Sequence, residues 1–105
     1  MDKYCIVTTT CDDKQNVEKI TKALFDNEIA SCIQTHNINS TYVWKGNIEN
    51  ADEIILYIKT RKELYKEVET CILDNHSYET PQIVQIPITD GYLDYLNWID
   101  EVTKK

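Results

Sequence analysis

The first third of the chain passes from a strand pattern to a helix pattern. Lys3 to Thr10 reads KYCIVTTT, which is rich in β-branched residues and has apolar side chains on both faces, so it predicts a central strand. Apolar residues then recur at helical spacing at Val17, Ile20, Leu24 and Phe25. They predict a first helix from about Asp13 to Asn27. Asp12 as N-cap and Gln15 three residues later predict a capping box at its start.

The middle of the chain predicts a long β-hairpin. Ala30 to Trp44 is interpreted as one long strand with an irregularity between His36 and Ser40, because strict alternation is lost there. The segment Lys45 to Asn47 supplies the turn, since Gly46 accepts a positive φ. The return strand reads IENADEIILYIKT and carries apolar residues on both faces in its second half. That half must therefore be covered on both sides.

The last third predicts a helix, a short strand and a final helix. Thr60 and Glu63 form a second possible capping box, which begins a helix that ends near Asn75. The apolar stripe of this helix is formed by Leu64, Val68, Cys71 and Ile72. Gln82 to Ile88 alternates with a period of two. Because Pro87 lacks an N–H, this strand is predicted to be short, to lie at a sheet edge, or to be near its own end at Pro87. A short final helix is marked by Leu93, Leu96, Trp98 and Ile99.

The order β-α-β-β-α-β is the ferredoxin-like pattern of α+β proteins, in which two helices pack on one face of an antiparallel sheet. The other face is left open, and it carries Tyr4, Ile6, Ile55 and Tyr57. A small domain rarely exposes a contiguous apolar patch of this kind, so we expect self-association to cover it. The hairpin is also much longer than the average strand of ~5 to 6 residues and would overhang one subunit, offering unpaired edges to a neighbour.

Composition narrows the class of protein. A chain of 105 residues predicts a single domain, residues 1–105. Eighteen acidic residues against eleven basic ones give a net charge of −7, which disfavours nucleic acid and anionic membranes as partners. The apolar run near the start is shorter than the ~7 to 15 residues of a signal-peptide core, and the four cysteines form no C-x-x-C pair. We therefore expect reduced thiols and a cytoplasmic location.

The segment HSYETP, residues 76–81, holds the candidate chemistry. His76 is either a ligand for copper or zinc, to which Glu79 adds an oxygen, or a residue at a helix C-terminus that interacts with free carbonyls. Tyr78 is expected to anchor the turn while its hydroxyl finds a partner, and Pro81 to stop the helix before the strand. Glu79 is also a candidate for lining a cleft.

Cys11 is predicted to be the most accessible thiol, because it lies between the first strand and the first helix, where a helix N-terminus favours thiolate. A thiolate is a soft donor for Cu(I). Cys5, Cys32 and Cys71 are expected to pack in the core, as is Trp98, whereas His36 is assigned to hairpin structure. No Ser/His/Asp set, glycine-rich phosphate loop or paired zinc-protease histidines occur, so an enzyme is not predicted.

Six segments in order resemble the CutA family of divalent-cation-tolerance proteins. They are TTTCDD, EIASCIQ, TYVWKGNIE with its Y-x-W-x-G, LYIKTRKE, HSYETPQIVQIPI and YLDYLNWI. The resemblance covers nearly the whole chain. It implies a ferredoxin-like subunit with an extended hairpin, a compact PII-like homotrimer built by intersubunit strand pairing, and a link to copper and other metal tolerance.

The resemblance also bears on the candidate metal site. Some family members carry a cysteine at the end of the first strand and paired histidines before the tyrosine-proline motif. Thr9 stands at the first of these positions and Asn75 at the second, and Cys11 is the candidate substitute two residues further on.

Two functions follow from the resemblance. In the first, the trimer binds copper or another divalent ion through His76, with Cys11 or Glu79 as further ligands, and buffers or senses metal in the cytosol. In the second, a PII-like trimer binds a small molecule or protein partner and has no direct metal role. The second function places the ligand in an intersubunit cleft lined by Trp44, Tyr78, Glu79 and Pro81.

Overall fold

The computed structural model describes residues 2–105, and their order of elements is the predicted one. The elements are β1 (Tyr4–Cys11), α1 (Lys14–Asp26), β2 (Cys32–Trp44), β3 (Asn47–Arg61), α2 (Tyr65–Asn75), β4 (Val84–Ile88) and α3 (Leu93–Val102). A short 3-10 turn, Lys62–Leu64, precedes α2. The strands form one antiparallel sheet in the order β2-β3-β1-β4, which confirms the ferredoxin-like α+β fold. No helix within residues 2–105 has the length and apolar character needed to cross a membrane.

One face of the sheet packs against α1 and α2 to form the core. Alternation along β1 and β3 turns Cys5, Val7, Leu56 and Ile58 toward the helices, where they are fully buried. The helices contribute their apolar stripes, which include Ile20, Leu24, Val68 and Ile72. β4 lies at an edge of the sheet, where it pairs with β1, and this is one of the placements that Pro87 predicted.

Both predicted capping boxes are wrong. Asp13, not Asp12, caps α1, and its Oδ1 accepts the Asn16 N–H at 2.8 Å. The pairing of β1 with β3 continues to Cys11. Asp12 therefore connects the strand to the helix, and the cap falls on the next residue. Thr60 is still part of β3, and its hydroxyl donates to Ile29 O at 2.7 Å instead of capping α2.

The hairpin is continuous, and the predicted irregularity between His36 and Ser40 is wrong. Every residue of β2 has a partner in β3, from Cys32 opposite Lys59 to Trp44 opposite Asn47. None of residues 36–40 is buried, so no buried side imposes an alternating sequence there. At the turn, Lys45 and Gly46 both have positive φ, +51° and +82°, as a two-residue type I′ turn requires.

The face opposite the helices is only partly open. Tyr4, Ile6, Ile55 and Tyr57 lie on it as predicted and are half-buried. α3 covers one end of this face, because the Tyr4 hydroxyl donates to Asp100 Oδ2 at 2.6 Å. In the same region Arg61 Nε donates to Thr103 Oγ1 at 3.0 Å.

Trp98 and Cys32 do not pack in the core as expected, and the apolar stripe of α1 ends one residue earlier than its spacing predicted. Trp98 is 37% exposed, because α3 turns Ile99 toward the sheet in its place. Phe25 is exposed, since the stripe of α1 ends at Leu24. Cys32 is half-buried on the open face, whereas Cys5 and Cys71 are buried as predicted.

Candidate functional site

The loop that follows α2 is held against the end of β1 and the start of α1. His76 caps α2, and its backbone N–H donates to Ile72 O at 2.8 Å. The buried Asn16 of α1 donates to Asn75 O at 2.9 Å and accepts the Ser77 N–H at 3.2 Å. Asn16 was not identified from the sequence, because a polar residue early in a helix gives no sign that it faces a distant loop. These bonds fix the direction in which the His76 ring leaves the helix.

Both ring nitrogens of His76 are engaged within the chain. Nε2 lies 2.8 Å from Thr10 O, and Nδ1 lies 3.1 Å from the Tyr78 N–H. Because a carbonyl only accepts and a backbone N–H only donates, Nε2 carries the proton and Nδ1 accepts. His76 thus bonds a carbonyl of β1, whereas one of the two interpretations expected it to interact with the free carbonyls at the end of its own helix.

Cys11 lies beside His76 but is not the accessible thiolate that we expected. Its Sγ is 3.9 Å from His76 Nε2, which brings together two residues 65 positions apart. The side chain has no exposed surface. Burial, followed by the negative charges of Asp12, Asp13 and Glu53, raises the pKa of the Cys11 thiol to about 11. These effects outweigh the helix N-terminus, so the thiol stays protonated at neutral pH.

Tyr78 anchors the loop through Glu53. Its hydroxyl donates to Glu53 Oε2 at 2.6 Å, and its ring lies 4.7 Å from that of His76 between centroids. Burial and the bond to Glu53 raise the pKa of Tyr78 far above its ordinary value, so the hydroxyl remains a donor. The sequence predicted a partner for this hydroxyl but did not identify Glu53, which is only 8% exposed.

The remaining predicted cleft residues do not meet in one chain. Glu79 is exposed and Pro81 is half-buried just before β4. Trp44 lies six residues beyond Ile38, the residue paired with Glu53, which places it ~20 Å away along the strand at ~3.3 Å per residue. A cleft that contains both Trp44 and Tyr78 would therefore need two chains, and it stays a prediction.

The family resemblance named two positions, Thr9 and Asn75, at which some members carry metal ligands. Thr9 is fully buried on the core face, and its hydroxyl has no hydrogen-bond partner among residues 2–105. Asn75 Nδ2 donates to Cys71 O at 2.8 Å within α2. Neither side chain makes a hydrogen bond to His76.

A pocket of about 490 Å³ lies at the root of the hairpin. Its lining consists of Asp12, Asn37, Ile38, Asn39, Asp52, Glu53 and Ile54. This pocket was not predicted from the sequence. Its residues are distant in the chain, and only the pairing of β2 with β3 beside the end of β1 brings them together. Within residues 2–105, no group of three or more His, Cys, Asp or Glu side chains is placed to hold a metal ion. With His76 engaged and Cys11 protonated, the predicted ligands do not form a ready metal site in one chain.

Comparison with known proteins gives consistent matches along the whole fold. The family model of the CutA1 divalent ion tolerance protein matches residues 5–102. The divalent-cation tolerance protein CutA of Archaeoglobus fulgidus is 38% identical over 95 residues, which cover 90% of this chain and 93% of that protein. A solved structure of the periplasmic divalent cation tolerance protein CutA from Archaeoglobus fulgidus matches with a TM-score of 0.93 at 36% identity. That match covers 96% of this chain and 99% of the other.

The relatives correct the expected cytoplasmic location. The chloroplastic protein CutA of Arabidopsis thaliana is 29% identical over 100 residues, which cover 94% of this chain and 55% of that protein. One relative is thus called periplasmic and another chloroplastic. The expectation is wrong because cysteine content and the lack of an apolar start are properties of the domain, and similar domains occur in relatives outside the cytoplasm.

Motif order, fold and relatives agree over nearly the whole length of the chain. The solved relative shares the β-α-β-β-α-β architecture at a sequence identity high enough to show common ancestry as well as common shape. The chain therefore belongs to the CutA1 divalent ion tolerance protein family.

Proposed function

We propose that this protein acts in tolerance to divalent cations, copper among them, as a homotrimer that binds the metal ion at a site completed by assembly. The description of the family supports the link to divalent ions. The single observation that carries metal binding is the 3.9 Å contact between Cys11 Sγ and His76 Nε2. A thiolate and an imidazole are donors that suit copper and zinc. The proposed role is binding and includes no catalysis.

Metal binding at this pair would be weak in a single chain. The Cys11 thiol would have to lose its proton, and His76 would have to give up its bond to Thr10 O. Because metal and protons compete for the thiol, affinity should rise with pH. Glu79, exposed in the same loop, is the candidate oxygen donor, and further donors would come from a neighbouring chain.

The alternative function is that of a PII-like trimer whose intersubunit cleft binds a small molecule or protein partner. In this alternative Trp44 and the Tyr78–Glu53 bond come to the cleft from two different chains, because ~20 Å separates them within one chain. The exposed aromatic and aliphatic side chains of the hairpin and α3 support assembly as well. In this alternative the metal has no direct ligands in the protein.

Titration calorimetry of the reduced protein with Cu(I) and Zn(II), without oxygen and at two pH values, separates the two functions. We expect His76→Ala and Cys11→Ala each to weaken binding at least about tenfold, as loss of a ligand or its support does. His36→Ala is the matched control, because His36 stacks on Tyr57 on the face of the sheet opposite to the one that carries Cys11. Equal affinity in all four proteins would exclude the metal site at Cys11 and His76, and would leave the cleft.

A further inference from the structure

Glu53 is largely buried and has no cation beside it within residues 2–105, although its Oε1 still reaches solvent. The residue is 8% exposed, and its Oε2 accepts the hydrogen bond of Tyr78. Within residues 2–105, Oε1 receives no hydrogen bond, and Glu53 takes part in no ion pair. Burying an ionised carboxylate is unfavourable unless a positive charge and further donors compensate for lost hydration. Glu53 therefore lacks a counter-charge.

The residues around Glu53 add further negative charge and no positive charge. Asp12 and Asp52 line the same pocket at the root of the hairpin, with Asn37 and Asn39 as its other polar side chains. No lysine, arginine or histidine belongs to that lining. The pocket thus has a negative electrostatic potential. A positively charged group that donates N–H bonds would complement it.

The tip of the hairpin carries such a cation. Between Asn37 and Glu53 the only basic residue is Lys45, at the turn. Lys45 pairs with no carboxylate within residues 2–105, and its Nζ lies 5.5 Å from the centroid of the Trp44 ring. The tip is ~20 Å from Glu53 of its own chain, so Lys45 cannot reach that carboxylate within the chain.

The apolar residues beside Lys45 favour a contact at the tip. Val43 and Ile48 face each other across the hairpin and are 73% and 78% exposed. Contact with a second chain would remove this apolar area from water while it delivers the charge. Charge complementarity and exposed apolar surface therefore occur on the same segment.

We propose that Lys45 of a second copy of this chain enters the pocket at the hairpin root and pairs with Glu53. Trp44, which lies against Lys45, arrives with it and reaches the loop that carries Tyr78. The site at the hairpin root is incomplete without the second copy. This inference rests on the proposed homotrimer and names the residues that join its subunits.

Zero-length carbodiimide cross-linking tests the contact directly, because the reagent joins an amine only to a carboxylate in contact with it. We expect a peptide pair joining Lys45 to Glu53 in the assembled protein. Trimers refolded from ¹⁵N-labelled and unlabelled chains should give mixed-isotope pairs, which shows that the link runs between chains. Links from Lys45 only to other carboxylates would overturn the proposal.

A double-mutant cycle tests the same pair energetically. Glu53→Gln keeps an acceptor for Tyr78 and Lys45→Gln alters an exposed turn residue, so both variants should fold. We expect each single variant to weaken assembly about tenfold and the double variant to weaken it no further, as for a close charge pair. Lys19→Gln, an exposed lysine of α1, is the control and should leave assembly unchanged.

Sedimentation of the unmodified protein separates this inference from the proposed trimer. A wild-type monomer would contradict the trimer itself. A wild-type trimer in which Lys45→Gln and Glu53→Gln have additive effects would overturn only the pairing. The pairing would also be overturned if Glu53→Gln weakened Mn²⁺ or Ca²⁺ binding while Lys45→Gln left assembly unchanged, since a metal would then be the missing cation.

Discussion

The hydroxyl of Tyr78 lies 2.6 Å from Glu53 Oε2, and this bond joins the loop after α2 to β3 at the root of the hairpin. It connects the motif that carries His76 to the pocket that lies beside the end of β1. A buried tyrosine and a buried carboxylate each need a partner, and here each supplies the other. The loop, the pocket and the hairpin are therefore coupled through two side chains.

Tyr78→Phe should destabilise the protein by about 1–3 kcal/mol, because Glu53 would keep a buried oxygen without its donor. Guanidinium unfolding followed by circular dichroism measures this change. Tyr92→Phe is the matched control, since the Tyr92 hydroxyl bonds Asp94 at an exposed site. Equal losses in the two variants would contradict a special role for the Tyr78–Glu53 bond.

Cys11 should resist alkylation in the native protein. Burial raises the pKa of both Cys5 and Cys11 to about 11, so at pH 8 little thiolate is present and neither sulfur faces solvent. We expect iodoacetamide, followed by mass spectrometry, to modify both only as fast as the protein unfolds. Cys5 serves as the internal control, because it lies near the start of β1, away from a helix N-terminus. Rapid modification of Cys11 alone would restore the accessible thiolate that the sequence suggested.

Asp100→Asn should make the stability of the protein depend less strongly on pH in the acidic range. Burial alone would raise the pKa of Asp100, but hydrogen bonds from Tyr4 and Lys3 and the charges of Lys3 and Arg61 hold it below its ordinary value. A depressed pKa contributes stability that is present above the ordinary carboxyl pKa and is lost as the pH falls below it.

Thermal unfolding between pH 6 and pH 3 measures this contribution. The wild type should lose more stability over that interval than Asp100→Asn does. Asp74→Asn, which removes an exposed carboxylate of α2, should keep the steep wild-type profile. A wild-type slope that persists in Asp100→Asn would show that other carboxyl groups dominate.

Ile55→Asp should shift the assembly toward monomers. Ile55 lies half-buried on the sheet face opposite the helices, where a buried carboxylate would oppose contact between subunits. Sedimentation velocity at micromolar concentration measures the change, with circular dichroism to confirm the fold. Leu73→Asp, at an exposed position of α2, is the control and should leave assembly intact. An unaffected Ile55→Asp trimer would place the interface elsewhere.

The elements were predictable because each has one face that must be buried. The stripe of α1 and the alternation of β1 and β3 record that requirement directly. The prediction was wrong where this requirement is absent or where local choices are nearly equal. None of residues 36–40, where an irregularity was predicted, is buried on either face. Asp12 and Asp13 are equally suitable caps until strand pairing decides between them.

The candidate site was only half visible in the sequence. A histidine, a tyrosine and a proline before a strand indicated an anchored turn, and His76 and Tyr78 form one. Their partners come from β1 and β3, and no local pattern identifies Thr10 O or Glu53. Cys11 shows the same limit, because its position at a helix start suggested exposure while the face of β1 that carries it points into the core.

The sequence by itself determined the order of strands and helices along the chain and the family, since these depend on periodicity and on short motifs. Only the tertiary structure decided that His76 is engaged at both nitrogens, that Cys11 is buried and protonated, and that Glu53 has no ion pair within residues 2–105. Burial and pairing of a polar group depend on atoms that are distant in the chain, and these are set by strand register and packing.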